Sequence, residues 1–239
     1  MATISKETAK RLDPEKLATS ALALADVEGL EAVTIRRLAQ QHEVTPMALY
    51  RHFSDKEELL AAIGDRMLAD IDLPAPNDDR WDRQLQAIFT NFVAALRPHP
   101  KVAQLAMFRI LRCEASLEMS ERAMELLTEA GFGVDDAAEV GRQSICALIT
   151  LVTMEPGANE VTDPIAREDA LRQKRAALGA LSPRRYPLIT SAADTLVCPS
   201  STDRYYELGI ELVVAGIRGV LPDRHRKDDT SAGTEGIRG

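Results

Sequence analysis

Aromatic residues are scarce in this sequence, where one Trp, four Tyr and five Phe make up 4% of the chain. Stretches in which β-branched or aromatic residues alternate with polar ones, the pattern of half-buried strands, are almost absent. Apolar residues at helical spacing recur instead, preceded by capping residues and followed by glycine or proline. The lack of strand patterns therefore predicts an all-α protein.

Cysteine is also rare and irregularly placed. Cys113, Cys146 and Cys198 lie far apart, no CxxC pair occurs, and the four histidines are scattered along the chain. A zinc site needs clustered ligands, and a disulfide framework needs an even set of cysteines. We therefore expect three reduced thiols, no metal site and no cofactor.

Long apolar runs are missing as well. No run approaches the roughly 18–20 residues that a membrane span requires. The first sixteen residues, MATISKETAKRLDPEK, are polar and lack the apolar segment of a secretory signal. With 45% hydrophobic and 28% charged residues, the composition is that of a soluble globular chain. We therefore expect a cytoplasmic protein without a membrane partner.

Capping patterns divide the N-terminal part into short helices. Asp13, Thr34 and Thr45 each precede a helical pattern, and proline follows Asp13 and Thr45 at the first helical position. The third helix is predicted to end near Phe53. Residues 54–57 (Ser-Asp-Lys-Glu) predict a capping box, with the serine as cap, that opens a longer fourth helix.

Prolines at 74 and 76 mark a break after the fourth helix. Beyond it, periodicity and caps predict six further helices and an irregular segment at 182–201. The predicted helices are 81–96, 105–111, 116–130, 135–154, 166–178 and 203–221. The segment from residue 223 onward has no core residue and is predicted to be a disordered tail.

Two short helices joined by a tight turn predict a helix-turn-helix, in which the second helix enters the DNA major groove. Such a helix needs small or polar residues near the base edges and hydrogen-bond donors for phosphates. Residues 45–48 meet the first requirement. Tyr50, Arg51, His52 and Lys56 meet the second.

The net charge of −8 does not by itself favour a nucleic-acid partner. However, only one small surface would touch DNA. Residues 34–56 carry four basic and two acidic side chains, and residues 1–12 carry three basic and one acidic. The charge distribution therefore permits DNA binding without demonstrating it.

The segment VTIRRLAQQHEVTPMALYRHFSDKEELLAAI, residues 33–63, resembles the signature of the tetracycline-repressor (TetR) family of regulators. The strongest part is ALYRHFSDKEELL, where the family typically shows Leu-Tyr-x-His/Tyr-Phe followed by a lysine-containing helix start. The resemblance covers residues 13–71, and the remainder matches the family only in helix order. It implies that the part before the proline-marked break is a helix-turn-helix domain (1–72) and that the part after it is a ligand-binding and dimerisation domain (73–222), which the compositionally predicted tail (223–239) follows.

The resemblance also implies which residues face DNA and that a homodimer reads a palindromic operator. Arg37 is open to two interpretations, DNA contact or pairing with an acidic neighbour, whereas Leu49 and Phe53 are expected in the core. Met47 offers at most an apolar contact to a thymine methyl. The implied DNA-facing residues are Thr34, Arg36, Thr45, Pro46, Met47, Ala48, Tyr50, Arg51, His52 and Lys56.

The predicted helices 135–154 and 203–221 are too apolar for a single buried stripe. Either each is a central core helix, or the two pair with their symmetry mates in a four-helix bundle. We favour the bundle, since it is the usual interface of the family. Small residues such as Ala215 and Gly216 would let the helices approach closely.

A regulator of this class needs a cavity for its effector, an unidentified small molecule of apolar or aromatic character. Aromatic, soft apolar and a few polar residues on the connecting helices are candidates for its lining, although any of them could simply be core. The candidates are Phe89, Phe92, His99, Met107, Phe108, Arg112, Gln143, Cys146, Thr150 and Met154.

Two rival interpretations are open. For an enzyme, Gly131-Phe132-Gly133 follows a helix rather than a strand, and no catalytic motif occurs, so we predict no catalytic residues and no enzymatic activity. The stronger rival is a helix-turn-helix regulator controlled by a protein partner, which the segments 158–165 and 182–201 would contact. The sequence does not decide between repression and activation.

Overall fold

The computed structural model describes residues 13–156, 163–199 and 201–222. Within these ranges the chain forms twelve α-helices and no strand, which confirms the all-α prediction. Short 3-10 helices cover Leu30–Ala32 and Ala103–Leu105. The helices are α1 (Pro14–Glu28), α2 (Ile35–Gln41), α3 (Pro46–Leu49), α4 (Lys56–Leu68), α5 (Trp81–Leu96), α6 (Ala106–Arg109), α7 (Glu114–Ala130), α8 (Val134–Thr153), α9 (Pro164–Gly179), α10 (Pro187–Ser191), α11 (Ala193–Val197) and α12 (Thr202–Gly219).

Helices α1–α4 form the head of the molecule. The carboxylate of Asp13 accepts a hydrogen bond from the backbone N–H of Glu15, and the Thr34 hydroxyl accepts one from Arg37, as the capping patterns predict. Gly29 follows α1 with φ of 87°, a backbone conformation that L side chains rarely adopt. The small turn at this glycine brings α2 back across α1.

Three local predictions are wrong. The cap of α4 is Asp55, not Ser54: Asp55 accepts from the N–H of Glu58, and the Glu58 carboxylate accepts from the N–H of Ser54 at 2.6 Å. Helix α3 ends at Leu49 and continues to residue 52 only as turns. The segment 182–201, predicted as irregular, contains α10 and α11.

Helices α5–α12 form the second part, called here the effector region. α5, α7, α8 and α12 pack together, and their buried side chains continue those of the head in one core. Gly209 of α12 lies against Leu151 of α8, where an added Cβ would fall 2.6 Å from the leucine methyl carbons. The absence of a side chain at Gly209 therefore allows α8 and α12 to approach closely.

The C-terminus of α7 follows its sequence pattern. Gly131 adopts φ of 118°, and the N–H of Phe132 donates to the carbonyl of Leu127 at 3.1 Å. Phe132 is buried, so it folds back on the helix. The predicted tail from residue 223 lies outside the described residues. Among the described helices, none has both the length and the apolar character needed to cross a bilayer.

Candidate nucleic-acid interface

The turn between α2 and α3 sets the geometry of the candidate interface. The N–H of Val44 donates to the carbonyl of Ala39 at 3.0 Å, and that of Glu43 donates to Gln40 at 3.2 Å. Glu43 has φ of 56°, the left-handed region in which glycine is usual. This one residue reverses the chain direction and thereby orients α3 relative to α2.

The predicted DNA-facing residues lie on an accessible surface. Met47 is 71% and Tyr50 49% exposed, while Ala48 and His52 are half-buried. The Thr45 side chain makes no capping hydrogen bond to α3, so its hydroxyl remains available. The other exposed members are Thr34, Arg36, Arg37, Thr45, Pro46, Arg51 and Lys56.

Leu49 and Phe53 anchor this surface from beneath. Leu49 is fully buried and Phe53 is 3% exposed, which confirms their expected place in the core. Both belong to the same cluster of buried side chains as Leu38 and Ala39 of α2. The core therefore fixes the relative position of the two helices, whose outer faces carry the polar residues.

The basic residues of the interface differ in their partners. Arg37 donates to Glu28 at 2.9 Å, and Lys56 lies 3.5 Å from Glu31. Arg36 and Arg51 make no ion pair among the described residues. Exposed ion pairs contribute little to stability, so phosphates can replace Glu28 and Glu31 as partners at small cost. The pairing of Arg37 was one of its two anticipated interpretations.

The cap of α4 borders the same surface. Backbone hydrogen bonding from Glu58 lowers the pKa of the Asp55 carboxyl, and backbone hydrogen bonding from Ser54 lowers the pKa of the Glu58 carboxyl. Both side chains are exposed, and both stay ionised to lower pH than an unperturbed carboxyl group would. Negative charge at a helix N-terminus is favourable, and it also limits which phosphates can approach here.

The ten residues predicted to line an effector cavity differ widely in burial within one chain. Phe89 and Phe92 are fully buried in the core, whereas Phe108 is 72% and Met154 70% exposed. Arg112, Gln143 and Thr150 are exposed too. Two candidates do meet, because the Cys146 thiol lies 3.8 Å from the Met107 sulfur and joins α8 to α6.

Open grooves occur elsewhere in the effector region. One of about 320 Å³ lies between the end of α4 and α5 and is lined by Asp70, Asp72, Asn91, Ala94, Ala95, Pro98 and the predicted residue His99. Another of about 250 Å³ lies between α5 and α12, and Arg97 and Tyr206 form part of its wall. These grooves are surface features rather than closed cavities within one chain.

Helices α8 and α12 each bury one face and expose the other. On α12, Ile210 and Val214 are buried, while Leu208 is 42% and Leu212 64% exposed. On α8, Gln143, Ala147 and Thr150 follow one another along an exposed face. Neither helix is therefore enclosed by the chain itself, as a central core helix would be.

Sequence reasoning missed two contacts between the head and the effector region. Arg109 of α6 pairs with Asp65 of α4, and His99 pairs with Asp26 of α1. The partners are 44 and 73 residues apart, so no local spacing signals them. Both contacts join the effector region to the head.

The fold and the exposed face define a helix-turn-helix protein with an all-helical second part. A family model described as "Bacterial regulatory proteins, tetR family" matches residues 17–63. A second, described as "Tetracyclin repressor-like, C-terminal domain", matches residues 73–221, more than half of the chain. The chain belongs to the TetR family of transcriptional regulators.

Three similar proteins illustrate the relationship. A helix-turn-helix-type transcriptional regulator of Saccharopolyspora erythraea is 29% identical over 54% of this chain, a match that spans 55% of its own length. The class A tetracycline repressor from transposon 1721 of Escherichia coli is 28% identical over 87% of this chain and 91% of its own. The Streptomyces coelicolor TetR family protein ActR, solved in complex with actinorhodin, has a TM-score of 0.71 at 26% identity and covers 87% of this chain and 97% of its own.

Proposed function

We propose that this chain is a cytoplasmic repressor that binds a palindromic operator as a homodimer and is released by a small molecule. The observation that carries the DNA-binding part is that residues 45–47, Tyr50 and Arg51 are exposed on a buried base of Leu49 and Phe53. A dimer presents this surface twice, and each copy occupies one major groove. Arg36 and Arg51 supply cations without an acidic partner among the described residues, and Lys56 supplies a third after release from Glu31.

The test is a mobility shift on DNA selected from a random pool by the protein itself. Tyr50→Ala combined with Lys56→Ala should abolish the shift and leave the circular dichroism spectrum unchanged, because both side chains are exposed. In the single variant Lys56→Ala, loss of one phosphate contact per protomer, two per dimer, should reduce the slope of log affinity against log salt by about 1.8. Arg83→Ala, an exposed cation of α5, is the matched control and should bind normally. Undiminished binding by the double variant would refute the assigned surface.

The dimer interface is proposed to consist of the exposed faces of α8 and α12. Gly209 already brings these helices together within one chain, and the apolar Leu208 and Leu212 face outward beside them. Two such pairs form a four-helix bundle around a twofold axis, in which the same surface of each chain meets its copy. A bundle of this kind removes the exposed leucines from water, which favours association.

The effector is proposed to be an apolar or aromatic molecule of drug-like size. The names of similar proteins support this class, since they include tetracycline repressors and a complex with actinorhodin. The ten residues predicted to line its site remain the candidates, and dimerisation can enclose those that a single chain leaves exposed. Isothermal titration against a panel of such compounds tests the proposal: a compound must both bind and release DNA, and failure of the whole panel would count against it.

A protein partner is the second candidate function. Helices α9–α11 contact one another more than the remainder of the described chain, and no residue of α9 from 165 to 179 is buried. Ile165 is 74% and Leu188 82% exposed there, so this segment offers an apolar surface to a partner. Part of the loop 158–165 lies outside the described residues. Co-purification of one defined protein that alters DNA affinity without any small molecule would favour this function.

A further inference from the structure

His99 joins the effector region to the head through a specific contact. It lies between two prolines after α5, and its Nδ1 is 2.8 Å from a carboxylate oxygen of Asp26 in the last turn of α1. The two side chains are only 17% and 24% exposed. Beside them, the ammonium group of Lys101 donates to the carbonyl of Val27 at 2.7 Å. Two adjacent contacts therefore fasten the end of α1 to the loop after α5.

Charged side chains from several segments lie around His99. Asp26 faces the ring from α1, and Asp70 and Asp72 lie in the groove that reaches His99 from the end of α4. Asp70 is itself paired with Arg66 at 2.7 Å. Lys101 is the opposing cation, and it lies close enough to affect Asp26. Asp26 therefore contacts the ring directly, whereas Asp70 and Asp72 line the same groove.

The Asp26 carboxylate is only partly satisfied. Its second oxygen is buried and has no hydrogen-bond partner among the described residues. Burial raises the pKa of the Asp26 carboxyl, while the hydrogen bond and charge of His99 and the charge of Lys101 act in the opposite direction. The carboxylate therefore depends on His99 more than an exposed carboxylate would.

We propose that His99 and Asp26 form a pH-sensitive latch that holds the DNA-binding head against the effector region when the imidazole is protonated. Charge on the groups of a hydrogen bond strengthens it, and a protonated imidazole adds attraction between opposite charges to its hydrogen bond with the Asp26 carboxylate. Histidine is the side chain that ordinarily changes charge between about pH 5 and 8. Closing the latch restricts the head before DNA arrives, and restriction in the bound geometry raises affinity. This last consequence rests on the proposed function.

Hydrogen exchange on the free protein tests the latch without DNA. The reporter amides are those of Gly29, Val102 and Ala103, whose hydrogen bonds end α1 or follow His99. After correction for the intrinsic rate, their protection should fall about threefold from pH 6 to pH 8, the size expected for a partly exposed ion pair. The amide of Gly131, at the distant end of α7, should show no such change.

Two variants provide matched controls. His99→Asn keeps a donor near the position of Nδ1 but cannot take up a proton, and Asp26→Asn keeps a hydrogen bond without the charge. Both variants and their combination should lose the pH dependence of the reporter amides while retaining the circular dichroism spectrum of the wild type. Wild-type pH dependence in His99→Asn, or none in the wild-type protein, would overturn the latch.

Operator affinity separates the latch from the proposed function. His52 lies on the proposed DNA-binding surface, so the comparison is between variants, which all retain it. The gain in affinity for the selected DNA from pH 8 to pH 6 should be about threefold larger in the wild type than in His99→Asn or Asp26→Asn. An equal gain in all three would overturn the link to DNA affinity. If no variant bound DNA but the exchange pattern held, the latch would stand and the proposed function would fail.

Discussion

Arg109 donates two hydrogen bonds to Asp65, from Nε to one carboxylate oxygen and from Nη2 to the other, each at 2.7 Å. This bidentate pair joins α6 of the effector region to α4 of the head. The hydrogen bonds to Asp65 raise the pKa of the Arg109 guanidinium further above its ordinary value. Gly64 lies beneath the arginine, where an added Cβ would be 2.8 Å from Cγ of Arg109. The missing side chain at position 64 is what lets the two helices meet.

We expect Gly64→Ala to destabilise the protein, although alanine is the better helix former. The new methyl group displaces the Arg109 side chain, and overpacking of this kind costs about 1–3 kcal/mol, against a helix-propensity gain of about 1 kcal/mol. In an Arg109→Ala background the clash with Cγ is gone, so the same substitution should stabilise by about 1 kcal/mol. Denaturant unfolding of the wild type, the two single variants and the double variant measures the effect of Gly64→Ala on the free energy of unfolding in each background. An effect of the same sign in both backgrounds would contradict the packing argument.

Glu43 provides a second test of backbone geometry. A left-handed backbone costs an L residue roughly 1–2 kcal/mol, and glycine avoids this cost while losing about 0.5–1 kcal/mol of chain entropy. Glu43→Gly should therefore raise the free energy of unfolding by about 0.5–1 kcal/mol. Glu43→Val, a β-branched residue at the same position, should lower it. Thermal unfolding of both variants checks the prediction, and it fails if valine is tolerated as well as glycine.

Local pattern predicted the helices where the end signals were unambiguous. Residues 81–96 were predicted and observed as one helix, because an amphipathic repeat stops at Pro98. The cap of α4 was misplaced by one residue because Ser54 and Asp55 are both good capping residues, each with a glutamate three positions later. Only the packed structure shows which of the two residues, Ser54 or Asp55, caps α4.

Contacts between distant segments could not be obtained from periodicity. Arg109 and Asp65 are ordinary helix-surface residues in the sequence, and so is Asp26. Their partners are determined by how α1, α4 and α6 pack. The effector lining was predicted from residue type alone, which does not distinguish a core phenylalanine such as Phe92 from an exposed one such as Phe108. Exposure on the DNA face was more predictable, since the helix-turn-helix pattern fixes which positions are core.

The cap of α4 predicts an acid-sensitive contribution to stability. Because backbone hydrogen bonds lower the pKa values of Asp55 and Glu58 in the folded state, these groups stabilise the fold above their unfolded pKa values. This contribution is lost as the pH falls through the lower, folded values. Asp55→Asn still caps the helix but has no charge to titrate, so its melting temperature should fall less between neutral pH and about pH 3. If the melting temperatures of the wild type and Asp55→Asn fell equally with pH, the assignment of this acid sensitivity to the Asp55 carboxyl would be contradicted.

Leu212 tests the proposed dimer most directly. It is 64% exposed on the outer face of α12, so Leu212→Glu should leave the fold of one chain intact. Within a twofold bundle, however, the substitution places unpaired charge in a desolvated apolar contact from both chains, which is strongly unfavourable. Sedimentation should show a monomer with unchanged circular dichroism and greatly weakened DNA binding. Val27→Glu, on an equally exposed valine of the head, should remain dimeric. A dimeric Leu212→Glu protein would mean that the two chains associate through another surface.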